Sequence, residues 1–198
     1  MKLSVASFFA ERFNLNGDQA NLEVLQRRAS AYGHELAVVS SGQGDAIETA
    51  DLVFIGHGSI AAWRSVEPEF EAYVRELGSN NLVLAIGSGA ERVAAEQGTV
   101  IKRGSRESVF ARHSIETPSG TLEVVGYLNS DTKSITTQWA GRTILSMLHG
   151  PVLAKNPEFA DAILSEMLAA RGGELGEKAS ELVRLDELSA AARRDASR

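Results

Sequence analysis

The chain has 198 residues, 43% of them hydrophobic, which is enough for one substantial core and suits one domain better than two. Its formal charge of -6 makes it a poor candidate for general nucleic-acid binding, which requires a basic face. It contains no cysteine, which excludes disulfides, thiolate metal sites and cysteine nucleophiles together.

No apolar run approaches the roughly 20 residues of a membrane span. Met1-Lys2 leads directly into strand-like residues, without the apolar stretch and small-residue cleavage site of a signal peptide, so a cytoplasmic location is expected. Residues 3–9 read as a first strand. Residues 19–32 read as a helix, with Leu22, Leu25 and Ala29 on one face and Gly33 as its stop. Residues 35–40 form a short apolar strand, and 51–55 another that ends in Gly56-His57-Gly58. Pro68 occupies the first turn of a helix reaching Leu77. Residues 81–86 make a further apolar strand, broken by Gly87-Ser88-Gly89 and followed by a helix over 90–97. Unbroken apolar strands alternating with helices predict a parallel sheet covered on both faces.

The pattern then changes. Residues 98–139 are rich in Ser and Thr, with strand-like character at 122–128, and predict a smaller, partly antiparallel or loop-rich section. Residues 142–148 read as an apolar strand ending in His149-Gly150-Pro151. Asn156 is placed to cap a helix whose first turn holds Pro157; it runs to about Ala170 and stops at Gly172-Gly173. Residues 174–198 read as a charged helix with acids early and arginines late, the arrangement the helix dipole favours. The division is a domain over 1–171 and a C-terminal helix over 172–198.

Leu84-Ala85-Ile86-Gly87-Ser88-Gly89-Ala90 carries the most chemical information. Small residues flank a central position between a buried strand and a helix, which is the layout of a nucleophile elbow. The central position is Gly87, so the scaffold is present without a nucleophile; a glycine-rich turn with no catalytic history has the same spacing. The dinucleotide fingerprint fits poorly, because its last glycine is Arg92 and the stretch follows a late strand. Backbone amides at this helix start are suited to an anion. His149, at a strand end, suits either a general base or a polar strand cap. His57 is placed to line the same crevice at the carboxyl ends of the strands. His34 and His113 read as ordinary surface positions, and no histidines and carboxylates have metal-ligand spacing.

Several segments together resemble the cobyric-acid-synthase type of class I glutamine amidotransferase. The nearest subgroup is the glutaminase subunit, GatD type, of lipid II isoglutaminyl synthase. Asn14-Leu15-Asn16-Gly17-Asp18-Gln19-Ala20-Asn21-Leu22 is similar to the opening motif, Phe54-Ile55-Gly56-His57-Gly58-Ser59 to the oxyanion loop, and residues 84–94 to the elbow. Gly126-Tyr127-Leu128-Asn129 resembles a shorter motif. Leu148-His149-Gly150-Pro151-Val152-Leu153-Ala154-Lys155-Asn156-Pro157 is the clearest match.

The resemblance implies a flavodoxin-like three-layer α/β domain with a mainly parallel sheet. It implies a glutamine site and a cysteine that attacks the side-chain amide with a histidine as base. It also implies ammonia transfer to a Mur-ligase-like protein that amidates a peptidoglycan precursor, with no cofactor or metal. His149 takes the place of the base and Gly87 that of the nucleophile. Gly56, His57, Gly58, Ser88 and Gly89 are the candidate ligand-binding positions. His57 replaces a loop glycine, Ser88 replaces one of two glycines after the nucleophile, and Ala90 and Glu91 replace an aromatic residue and a glutamine. A glycine cannot form the covalent acyl intermediate. One reading is therefore a catalytically inactive binding or regulatory subunit for a Mur-ligase-like partner, or for a small amino-acid-like ligand. The other is an active or engineered-inactive glutaminase subunit supplying ammonia to a peptidoglycan or cobyric-acid-type substrate, with Ser88 and His149 as a substitute pair in one version.

Overall fold

A computed structural model describes residues 1–42, 47, 49–77 and 81–195. In chain order these form β1 (Lys2–Phe8), α1 (Ala20–Ala31), β2 (Glu35–Ser41), β3 (Leu52–Ile55), α2 (Ile60–Arg64), α3 (Glu67–Glu76), β4 (Leu82–Ile86) and α4 (Ser88–Glu96). The long strands β5 (Arg103–Thr117) and β6 (Gly120–Thr132) follow, then β7 (Gln138–Ala140), β8 (Thr143–Ser146), β9 (Leu148–His149), α5 (Val152–Lys155), α6 (Pro157–Ala169) and α7 (Ser180–Asp195).

The main sheet has the order β2-β1-β3-β4-β8-β7. All its neighbours are parallel except the edge pair β7–β8. This is a doubly wound, flavodoxin-like order with one antiparallel edge strand added. Alternation along the strands splits the core in two. Leu52, Phe54, Leu82, Leu84 and Ile86 join one buried cluster with Leu22 and Leu25 of α1 and Ile163 and Leu164 of α6. Val53, Ile55, Val83 and Ala85 join the other with Trp63, Phe70 and Val93 from α2, α3 and α4. Strands that bury both faces must be apolar at every position, which is why β3 and β4 carry no polar residue.

The section over 98–139 is built around an antiparallel hairpin, β5–β6, in which β5 is exposed over 103–109 while Ile115 and Val124, nearer the turn, are buried. Three local expectations need correction. The strand read over 142–148 is two strands in two sheets. β8 pairs with β4, whereas β9 crosses to β6, and the chain turns at Met147 while the Ser146 hydroxyl accepts the Leu148 N–H at 3.2 Å. Asn156 does not cap α6 with its side chain. Its Oδ1 accepts the Val125 N–H at 2.9 Å and its Nδ2 donates to the Val125 and Val152 carbonyls, so it stitches β6 to α5. The C-terminal helix begins at Ser180 rather than near 174, and its end at 196–198 lies outside the described residues.

α7 packs on the domain through buried Leu182 and an ion cluster: Arg28 of α1 contacts Asp161 of α6 at 2.6 Å and Asp186 of α7 at 2.7 Å. Among the described residues no helix is long and apolar enough to cross a membrane.

Candidate functional site

β4 delivers the chain to Gly87, which adopts φ 57° and ψ -121° before α4 begins at Ser88. That conformation is open to glycine and strained for other residues. The expected elbow is therefore present as a tight strand-to-helix turn with positive φ. The loop after β3 lies beside it. Gly56 and Gly89 are required there by close packing, since a Cβ would come within 2.1 Å of the Phe13 carbonyl oxygen at the first and 2.6 Å of the Ile55 oxygen at the second. These two glycines bring backbone segments together.

His57 fills the space a nucleophile would need. A Cβ at Gly87 would stand 2.5 Å from His57 Nδ1 and 3.0 Å from His149 Cε1. The Ser88 N–H donates to His57 Nδ1 at 2.9 Å. An amide can only donate, so Nδ1 carries a lone pair and the imidazole proton sits on Nε2. Burial and the neighbouring His149 push the His57 pKa down to about 4. The Ser88 amide follows the elbow apex and is the first donor such a turn offers to an oxyanion; here His57 holds it. The Gly58 N–H, a donor from the adjacent loop, is given to Ser88 Oγ at 3.0 Å.

Ser88 Oγ also receives the Trp63 indole N–H at 2.8 Å and donates to the Gly58 carbonyl at 3.0 Å. Its hydroxyl is fully engaged on the side of Trp63, with neither histidine as a partner.

His149 stands at the end of β9 next to Gly87, with its ring 4.8 Å from that of His57 in an edge-on arrangement. Its Nε2 lies 3.2 Å from the Asn129 main-chain carbonyl, which can only accept, so Nε2 carries the proton. Nδ1 then accepts from the Asn16 amide at 3.0 Å. Burial lowers its pKa, although the Asn129 carbonyl opposes this. Both nitrogens are engaged, and the ring turns carbon Cε1 to the elbow.

These groups line one side of a cleft of about 450 Å³, to which His57, Gly58, Ser88 and His149 all contribute. On the far side Arg103 forks onto Glu91 at 2.7 and 2.9 Å and reaches Asp131 at 2.7 Å, while Thr132 also bonds Glu91. Glu91 thus ties α4 to the base of the hairpin across the cleft.

Asp18 organises the site from below. It is fully buried, and its carboxylate accepts the His57 N–H at 3.0 Å and the Gly150 N–H at 3.2 Å. It therefore holds the loop bearing one histidine against the strand end bearing the other. Desolvation raises its pKa to about 6 although these amides lower it. Asn16, Asp18 and Asn129 all lie in recognisable sequence segments, yet nothing in their spacing distinguished them as site residues. His113, read as a surface position, is half-buried: the Thr137 hydroxyl contacts its Nδ1 at 2.9 Å and also the Ser146 hydroxyl at 3.1 Å, anchoring β5 to β8.

The shifts of His57 and Asp18 act on stability in opposite directions. A depressed histidine pKa contributes stability above about 6.5 that is lost as pH falls through about 4. A raised aspartate pKa contributes stability present below about 3.9 that is lost as pH rises through about 6. Nuclear magnetic resonance titration should place the His57 midpoint near 4. Between pH 6.5 and 4, His57→Gln should lose less unfolding free energy than the parent protein; an equal loss would show that His57 is not buried neutral.

No family model and no curated protein matches the sequence. Solved structures do resemble it. A glutamine amidotransferase from Thermotoga maritima is 13% identical, with a TM-score of 0.54 over 97% of this chain and 95% of that one. A putative GMP synthase component from Thermoplasma acidophilum is 14% identical, with a TM-score of 0.52 over 86% of this chain and 94% of that one. PurLQS from Thermotoga maritima is 11% identical, with a TM-score of 0.51 over 85% of this chain and 99% of the matched chain. At these identities the likeness shows the fold alone: a flavodoxin-like α/β domain with a mainly parallel sheet.

Proposed function

We propose that this protein is a non-catalytic amidotransferase-like subunit that keeps the glutaminase scaffold for binding. The observation that carries the proposal is the occupied elbow. Gly87 offers no nucleophile, and the His57 ring sits where one would project while holding the Ser88 amide. Covalent amide hydrolysis needs a nucleophile, a free base nitrogen and unoccupied oxyanion donors together. Here the first is absent, the His149 nitrogens are engaged and both candidate amides are used internally.

The cleft remains open at the rim, with Arg106 of β5 beside Asn129, and a small amino-acid-like ligand is the occupant proposed for it. A Mur-ligase-like protein is proposed as the partner, on the resemblance of residues 14–22 and 148–157 to glutaminase subunits. The likeness to a GMP synthase component is consistent with a role in an assembly.

The test is a coupled assay for glutamate formation with the purified protein, alone and with a Mur-ligase-like partner. No turnover above background is expected. Robust turnover abolished by His149→Ala would overturn the proposal and point to a water- or serine-based mechanism.

A further inference from the structure

We infer that the cavity around Arg142, at the amino ends of the main-sheet strands, is a second binding site that takes the carboxylate group of a small organic acid. Three adjacent parallel strands begin there, and a polar residue precedes each: Asp51 before β3, Asn81 before β4 and Arg142 before β8. With Arg171, just past the end of α6, they line a cavity of about 520 Å³. That volume suits a small-molecule site. The length of β4 separates it from the Gly87 turn, a span of roughly 20 Å from Asn81. The site is thus distinct from the elbow cleft, and its occupancy does not depend on the function proposed there.

Two of the four polar side chains are already committed. Asn81 is 6% exposed, and its amide donates to the Ile47 and Ala50 carbonyls at 2.9 Å each. The Asp51 carboxylate is 7% exposed and accepts the Ser4 N–H at 2.8 Å and the Arg171 Nε–H at 2.6 Å. Arg171 keeps its two Nη groups without a partner among the described residues. Arg142 is the exception. Its backbone is pinned, because its carbonyl accepts the Val83 N–H at 2.8 Å. Its guanidinium, however, meets no acceptor and no carboxylate among the described residues, and its Nε is buried. A buried donor on a charged group is costly to leave unmade. A guanidinium presents its donors as a planar fork, the geometry that a carboxylate matches.

Charge selects the class of ligand. The charged lining is two arginines against one aspartate, one positive charge in excess. Ala170 adds the C-terminal end of α6, whose partial negative charge of about one half reduces that excess without cancelling it. The balance suits a monoanion better than a phosphate monoester, which carries about -1.5 to -2 near neutral pH.

The full chain, isotope-labelled, is followed by nuclear magnetic resonance near neutral pH while sodium acetate replaces sodium chloride at constant ionic strength. A second series uses sodium phosphate. The Arg142 Nε–H signal, identified by its loss in Arg142→Lys, should shift and saturate with a roughly millimolar midpoint, the range open to a ligand of so few atoms. Arg142→Gln should weaken acetate binding at least about tenfold, read on the Thr143 and Gly172 backbone amides. Arg171→Gln should weaken it less, since Asp51 already holds one of its donors. If Arg142→Gln does not fold, the titration of the parent protein and Arg171→Gln decides the matter. No saturable response at Arg142 would overturn the inference and leave that arginine to solvent. Equal acetate affinity in the parent and Arg142→Gln would overturn it by placing the anion elsewhere. Tighter binding of phosphate than of acetate would overturn the assignment to a carboxylate.

Discussion

Gly87→Cys should give a protein destabilised by about 2–6 kcal/mol that still releases no ammonia from glutamine. Two contributions make up the loss. A side chain at φ 57° and ψ -121° is strained by about 1–3 kcal/mol. The new Cβ also meets His57 Nδ1 at 2.5 Å, so the ring must leave its position, an overpacking cost of about 1–3 kcal/mol. Displacing the ring also strips the Ser88 amide of its acceptor. Urea unfolding measures the total.

Adding His57→Gly should recover the steric share and leave the backbone share, because only the second belongs to the turn itself. The chain has no other cysteine, so alkylation by iodoacetamide reports on position 87 alone. The introduced thiol should react faster in the double variant than in the single one, with His57 no longer over it. Even the double variant should remain a poor glutaminase, because the His149 lone pair is taken by Asn16 and Glu91 bridges the cleft to Arg103. Efficient turnover from Gly87→Cys alone would show an intact site that lacks only its sulfur, and the non-catalytic reading would fall.

The fold was legible where burial left no alternative. Strands β3 and β4 are apolar at every position because both faces are covered, and that pattern announces a parallel sheet. Gly87 was legible for a related reason, since a small-residue turn between a buried strand and a helix admits few conformations. The break at Met147 was not legible: β8 and β9 differ only in which partner accepts them, and that choice is made by β6, about 20 residues earlier in the chain.

The candidate site divides in the same way. His57 and His149 follow apolar strands, and the strand ends place them in one crevice. The differences at His57 and Gly87 from the motifs the sequence resembles were visible as two separate substitutions. That one side chain occupies the space left by the other follows only from three-dimensional contact. Asn156 illustrates the opposite failure: Asn before Pro is a capping signal, and tertiary pairing with Val125 overrides it.

Arg28→Ala should be among the most destabilising substitutions outside the glycine turns, costing about 3–5 kcal/mol by urea unfolding. The Arg28 side chain is 6% exposed, and its guanidinium spans two helices. Nε and Nη2 fork onto Asp161 of α6 at 2.7 and 2.6 Å, and Nη1 donates to Asp186 of α7 at 2.7 Å. Removing the cation leaves two carboxylates that are 15% and 18% exposed, and an uncompensated buried charge is what makes such a loss large. Lys178 and Tyr32 limit the damage, since Lys178 reaches both carboxylates and the Tyr32 hydroxyl donates to Asp161. The value should therefore fall near the lower end of that range.

Asp186→Asn should cost less, about 1 kcal/mol, because it removes one partner and leaves the Asp161 fork in place. The two variants should also differ in where they act. Asp186→Asn should raise amide exchange mainly in α7, whose docking otherwise rests on Leu182 and peripheral contacts. Arg28→Ala should raise exchange in α1 and α6 as well, because the fork joins those helices to each other. Equal exchange profiles in the two variants would mean that α7 is held by its apolar face and that the ion cluster serves only the main domain.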